Sequence, residues 1–160
     1  MATVRGDKDI IDLLNRVLTN ELTAINQYFL HSRIQRNWGY RRISDYYYHE
    51  SIDEMRHADE LIERILYLDG LPNLQRLHTL RIGETVPEQL ATDRSQEDEA
   101  VELLRGGIAL CRSKNDVGSA VLLEKILVSE EEHIDWLDAQ LTLIEQVGAT
   151  NYLAQQIHES

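Results

Sequence analysis

Apolar residues recur at three- and four-residue spacing through most of the chain, the period of an amphipathic helix. Leu14, Val17, Leu18, Ala24, Ile25 and Tyr28 mark one such face and predict a helix from about Asp7 to Trp38. Asp7 is suited to cap its start, and Gly39 follows its last turn. Tyr47, Ala58, Leu61, Ile62 and Ile65 mark a second helix, from about Arg41 to Leu68, which ends before Gly70. The period then lapses through DGLPNLQRLHTLRIGETVP, which holds both prolines of the chain. A third helix is expected from about Pro87 to Ser113, with proline in the first turn, where its missing N–H costs little. A fourth runs from about Val117 to Val147 and stops at Gly148, and a short fifth is expected near Asn151 to Ile157.

The lengths of the links set the topology. Short links place the first and second helices antiparallel, and likewise the third and fourth. The long link lets the chain travel a helix length and start again from the other end. The expected fold is therefore all-α: a four-helix bundle of the ferritin-like kind, with one long crossover and a short fifth C-terminal helix. A connection of about twenty residues without its own periodicity calls for such a topological reason. Residues 1–160 are expected to form one domain.

Composition narrows the chemistry. Sixteen Lys and Arg stand against 28 Asp and Glu, a formal net charge of -12. That balance disfavours contact with a nucleic-acid backbone and favours cationic partners, metal ions included. The single cysteine, Cys111, excludes a disulfide framework and multi-cysteine metal sites, and reads as a small core residue. No apolar run is long enough to span a membrane, and MATVRGDKDI lacks the apolar stretch of a signal peptide. A cytoplasmic protein is expected.

Of six histidines, only His57 and His133 have Glu three residues earlier, at Glu54 and Glu130. Residues at i and i+3 share a helix face, so each pair can reach one metal ion. Glu54 and His57 align with Leu61 and Ile65, and Glu130 and His133 align with Leu123, Ile126, Leu127 and Leu137. Glu21 aligns with Leu14, Leu18, Ile25 and Tyr28, and Glu97 with Leu90, Val101, Leu104 and Ile108. Carboxylates on core faces are normally paired or metal-bound, because an isolated buried charge is very unfavourable.

The spacing joins the two sets. Glu21 to Glu54 and Glu97 to Glu130 are each 33 residues apart. Glu21 to Glu97, Glu54 to Glu130 and His57 to His133 are each 76 apart. A pseudo-twofold axis through the bundle then yields two metal positions. Glu21 and His57 serve one, Glu97 and His133 serve the other, and Glu54 and Glu130 bridge them. One Glu and one Glu-x-x-His per half-bundle is the di-iron carboxylate pattern, and such ligands suit iron or manganese.

The words NELTAINQYFLHSR, YYHESIDEMRHADELIERIL, LDGLPNLQRL, SEEEHIDWL and NYLAQQI resemble the bacterioferritins, from about residue 5 to the end of the chain. The resemblance implies a shell of twenty-four subunits built from dimers. Such a shell oxidises Fe(II) with oxygen or peroxide and stores ferric mineral for iron storage and detoxification. It places the family's ferroxidase ligands on the same six residues, Glu21, Glu54, His57, Glu97, Glu130 and His133. It implies that Met55 is an axial ligand of haem b shared between two subunits, a helical step away from Glu54 and on a mixed face with Ser51, Ile52, Asp59 and Ile62. The haem would relay electrons inward for reductive release, with bacterioferritin-associated ferredoxin as donor. By the same resemblance His49 and Asp53 hold an inner-surface iron, and Asn20, Asn37, Asp69 and Asp135 line a pore. Tyr28 and Trp136 are expected near the centre, placed to supply electrons to peroxide or oxygen. For the last two residues, aromatic packing is the plainer account.

The rivals are fewer. A di-iron oxygenase or peroxidase of the ferritin-like superfamily shares the six ligands, but usually has a larger chain or a tail with paired cysteines. A DNA-protecting mini-ferritin builds its site across a subunit interface and lacks the doubled Glu-x-x-His. A metal-free bundle leaves six core-facing polar residues unexplained.

Overall fold

The computed structural model describes residues 5–159; residues 1–4 of the N-terminal stretch read above, and residue 160, lie outside it. Five helices follow in order: α1 Lys8–Asn37, α2 Arg41–Tyr67, α3 Val86–Ser113, α4 Val117–Val147 and α5 Ala149–Gln156. The first four build a ferritin-like bundle in which α1 packs on α2 and α3 on α4, and a long crossover joins the pairs.

Local chemistry sets the helix ends. The Asp7 carboxylate accepts from the N–H groups of Asp9 and Ile10, and Thr85 accepts from Glu88 N–H. With Thr85 as cap, α3 starts at Val86, one residue before the expected Pro87. Asp116 caps α4 through Ser119 N–H. Gly148 has φ 84°, which a residue with a Cβ adopts only under strain, and it both ends α4 and starts α5. That shared cap starts α5 at Ala149 and ends it at Gln156, slightly ahead of the expected Asn151 to Ile157.

The crossover is extended and is held by α1. Asn15 donates to the Leu71 carbonyl at 3.1 Å and accepts from Asn73 N–H at 2.8 Å. Further along the same face, Thr23 accepts from His78 N–H, Gln27 from Arg81 N–H and His31 Nε2 from Gly83 N–H. These acceptors recur every four or eight residues along α1, so one helix face satisfies the backbone of a strand-like segment. The Gly83 N–H fixes the His31 tautomer: Nδ1 carries the proton and donates to Asp93 on α3 at 2.9 Å. Gln27 donates to the other Asp93 oxygen at 2.6 Å. Gly83 admits no side chain, since a Cβ there would lie 2.4 Å from Gln89 N.

Two apolar clusters fill the bundle. One gathers Leu14, Leu18, Leu61, Ile65, Leu104, Leu123 and Ile126 among others, with Cys111 buried in it as expected. The other gathers Tyr28, Ile43, Tyr47, Leu90, Leu137 and Tyr152. Along each long helix the two clusters are separated by the turns that carry Glu21, Glu54, His57, Glu97, Glu130 and His133.

Candidate metal centre

All six of those residues are buried, none more than 7 % exposed. Each is set mid-helix by an apolar stripe that turns its face inward. One ligand atom from each of Glu21, Glu54, His57 and Glu130 lies within 4.8 Å of the others, the spacing of groups that hold one ion. His57 Nδ1 is the hub, 3.3 Å from a Glu130 oxygen, 3.5 Å from Glu54 and 3.6 Å from Glu21.

Glu97 and His133 are not part of that group. The Tyr28 hydroxyl donates to Glu97 through a very short hydrogen bond. His133 Nδ1 shares a 3.1 Å hydrogen bond with the Tyr46 hydroxyl and lies 3.6 Å from Glu50. The Tyr46 ring is stacked on Trp136, with centroids 3.5 Å apart and planes 11° apart.

The electrostatics divide in the same way. Burial alone would lower the His57 imidazole, but the nearby Glu130 and Glu21 carboxylates outweigh it and raise it to about 10. Burial drives His133 down to about 3, with no neighbour opposing. Burial pushes the Glu97 carboxyl well up, and the adjacent Glu130 pushes it further. Burial also raises Glu21 and Glu130, against the pull of His57 on each. Burial lifts Glu50 to about 7.

Among the described residues, Glu21 Oε2, Glu97 Oε2, both Glu130 oxygens, His57 Nδ1 and His133 Nε2 are buried without a hydrogen-bond partner. Burying so many polar atoms unpaired is strongly unfavourable. Metal cations between them would satisfy carboxylate and imidazole lone pairs together, so the donor set fits divalent iron.

The remaining sequence candidates lie elsewhere. Met55 is 52 % exposed, turned away from the buried cluster. Ser51, grouped with it on a mixed face, is instead buried, and its hydroxyl donates to the Tyr48 carbonyl at 2.6 Å. His49 is exposed and lines an open pocket of about 820 Å³ with Tyr46, Trp136 and Tyr152. Asp53 accepts from Arg56 at 3.0 Å. Asn37, Asp69 and Asp135 are exposed and Asn20 half-buried, where it meets His78 at 2.9 Å. Tyr28 is fully buried beside Glu97, and Trp136 is half-buried at the pocket.

Sequence reasoning missed Tyr46 and Glu50. The signal was present: Tyr46, Glu50, Glu54 and His57 fall on one α2 stripe at spacings of four, four and three. The His31–Asp93 pair was also missed, since a histidine and an aspartate 62 residues apart carry no local mark.

Comparison with known proteins places this arrangement. The model of the ferritin-like domain matches residues 11–147. The chain is 54 % identical over 152 residues to a bacterioferritin of Mycobacterium tuberculosis, covering 95 % of this chain and 96 % of that one. It is 50 % identical over 157 residues to the bacterioferritin of Streptomyces coelicolor, covering 98 % and 94 %. It is 41 % identical over 149 residues to that of Rhodobacter capsulatus, covering 93 % and 92 %.

Proposed function

The chain belongs to the bacterioferritin family, and from that premise we propose that it stores iron and acts as a ferroxidase, an Fe(II):oxygen oxidoreductase. Fe(II) is its substrate and oxygen or peroxide its oxidant. The observation that carries this reading is the buried group of Glu21, Glu54, His57 and Glu130, whose ligand atoms approach within 4.8 Å of one another. Two iron ions held by the six residues would each give up one electron. Glu21 and His57 serve one position, Glu97 and His133 the other, and Glu54 and Glu130 span both. The apolar clusters on either side exclude water and hold the ligand-bearing turns in register. The remaining acids of a -12 chain would draw ferrous ions toward it.

Replacing a ligand shared by both positions should cost more than the ten- to hundredfold typical of outer partners. Glu130→Ala is expected to slow the initial phase of Fe(II) oxidation, followed by stopped-flow absorbance, by more than about a hundredfold. An unchanged initial phase would remove Glu130 from the centre.

The residues around Met55 also fit a haem. Its half-exposed thioether lies seven residues beyond Tyr48 on α2, and Tyr48 packs beside Phe29 with ring centroids 6.4 Å apart. Phe29 is 46 % exposed and Tyr48 37 %, an apolar, aromatic face suited to a flat cofactor. Met55 would hold the haem iron through its thioether, and a methionine ligand raises the reduction potential of haem iron. A haem there supplies one-electron transfer for reductive release of stored iron. Met55→Leu is expected to remove bis-methionine haem absorption while leaving Fe(II) oxidation in place. Unaltered haem absorption would reject Met55 as the ligand.

The wider assembly follows from the same reading. Residues 1–160 form one ferritin-like domain, repeated in a shell of twenty-four copies in the cytoplasm. His49 and Asp53 bind iron on the inner wall, and a bacterioferritin-associated ferredoxin delivers electrons. No helix among the described residues is long and apolar enough to cross a membrane.

A further inference from the structure

Between α2, α4 and α5 lies the open pocket of about 820 Å³, the size of a site for a cofactor or other small molecule. Tyr46 and Trp136 line it as a stacked pair, with planes 11° apart. The His133 imidazole keeps nearly the same orientation, inclined 22° to Tyr46 and 13° to Trp136, with centroids 5.8 and 6.2 Å away. Three nearly parallel rings thus lead from the buried centre to the pocket. The polar groups there have capacity to spare. Gln140 accepts from the Tyr152 hydroxyl at 2.7 Å, which leaves its amide N–H groups free to donate. Gln156 is only 7 % exposed and lines the pocket, and among the described residues no hydrogen bond engages its side-chain amide. A buried amide without a protein partner calls for a ligand or water to pair it. Arg42, exposed at the rim, forms no ion pair among the described residues.

We propose that this pocket binds a planar heteroaromatic molecule with an amide-like edge and an anionic tail, the chemistry of a flavin mononucleotide, and that it is a second electron port to the centre. The flat ring would lie against Trp136, extending the stack. Its amide-like edge would pair with Gln140 and Gln156, and its phosphate with Arg42. A reduced ring of this class gives up two electrons and two protons. The electrons convert two ferric ions to two ferrous ions, and the protons pass to solvent. Neither Met55 nor its neighbours Phe29 and Tyr48 line this pocket, so the port is separate from the face suited to haem. The electron-port role rests on the di-metal reading of the six residues; the binding of the ring does not.

The first test titrates oxidised flavin mononucleotide into the assembled, iron-free and haem-free protein and follows flavin fluorescence. Saturable quenching is expected, with one flavin per subunit. Leu143→Trp fills the pocket from an exposed position and should weaken binding by at least about tenfold, the scale of an overpacked site. Arg42→Ala, also at an exposed position, should weaken the mononucleotide by about two- to fivefold, the worth of an exposed ion pair, and leave riboflavin unmoved. No saturable quenching, or quenching unmoved by both variants, overturns the proposal and leaves the di-metal reading standing. The second test adds reduced flavin mononucleotide anaerobically to ferric-loaded Met55→Leu protein and captures Fe(II) with a ferrous chelator. Release should saturate with flavin and fall at least about tenfold when Leu143→Trp is added. A rate that Leu143→Trp leaves unchanged overturns the electron port. Failure of the six residues to hold two ions would instead overturn the di-metal reading, and flavin binding by the iron-free protein would survive it.

Discussion

The proposed centre has two halves of identical composition at the middle of this bundle, and they are prepared differently. The Glu21–His57 half is gathered, with an imidazole raised to about 10 among three carboxylates. The Glu97–His133 half is dispersed, with an imidazole lowered to about 3 by burial and both ligands engaged by tyrosines. A sequence repeat of acids and histidines thus sets which residues meet, while the residues outside the repeat set the surroundings of each half. The difference arises from hydroxyls on α1 and α2 whose counterparts on α3 and α4 are leucines.

The largest effect that bears on this contrast comes from removing each histidine in turn. His57→Ala takes the hub from the gathered half and should lower the affinity of the metal-free protein for Co²⁺ at the Glu21–His57 position by at least about a hundredfold, beyond the range for outer partners. His133→Ala should leave binding at that position near its natural strength and abolish binding at the Glu97–His133 position. Equal losses at both positions in the two variants would erase the distinction between the halves. Calorimetry with the metal alone separates these outcomes.

A smaller effect appears in the stability of the metal-free protein against pH. The ordinary imidazole value is about 6.5. His133 stands near 3 in the folded chain, so between those values the unfolded chain binds a proton that the folded one does not. Its contribution is lost as pH falls from about 6.5 toward 3. His57 stands near 10, so the folded chain holds the extra proton. Its contribution is complete below about 6.5 and is lost as pH rises toward 10. Chemical unfolding across this range should show His133→Gln flattening the acid limb and His57→Gln the alkaline limb, each by up to about 1.4 kcal/mol per pH unit. Both variants acting on the same limb would contradict the assignment.

The same contrast explains what was legible in the sequence. Helix ends were readable from Asp7, Gly39, Gly148 and the flanking apolar period because caps and stripes are local. The six buried acids and histidines were readable because each shares a face with core residues. Tyr46 shares a stripe with Glu50, Glu54 and His57, but nothing local marks its contact with a histidine 87 residues away. Nor is the order within the crossover marked locally. Its backbone is held by Asn15, Thr23, Gln27 and His31, so the pattern that fixes it lies on α1 rather than in the segment itself.

On the proposed reading, haem and ferrous iron would be served by different parts of α2. Met55 and Glu54 are adjacent in sequence, yet one is half-exposed and the other 2 % exposed. A helical step of about 100° is enough to separate an outward sulfur from an inward carboxylate. One helix can therefore carry a ligand for each of two iron chemistries without mixing their surroundings.

The central claim is that Glu21, Glu54, His57, Glu97, Glu130 and His133 together hold two iron ions. Crystals soaked anaerobically in Fe(II) and measured at the iron absorption edge test it most directly. Two anomalous peaks per subunit are predicted, one between Glu21 and His57 and one between Glu97 and His133, with Glu54 and Glu130 reaching both. A single peak at saturating Fe(II), or peaks only outside these six residues, would contradict it.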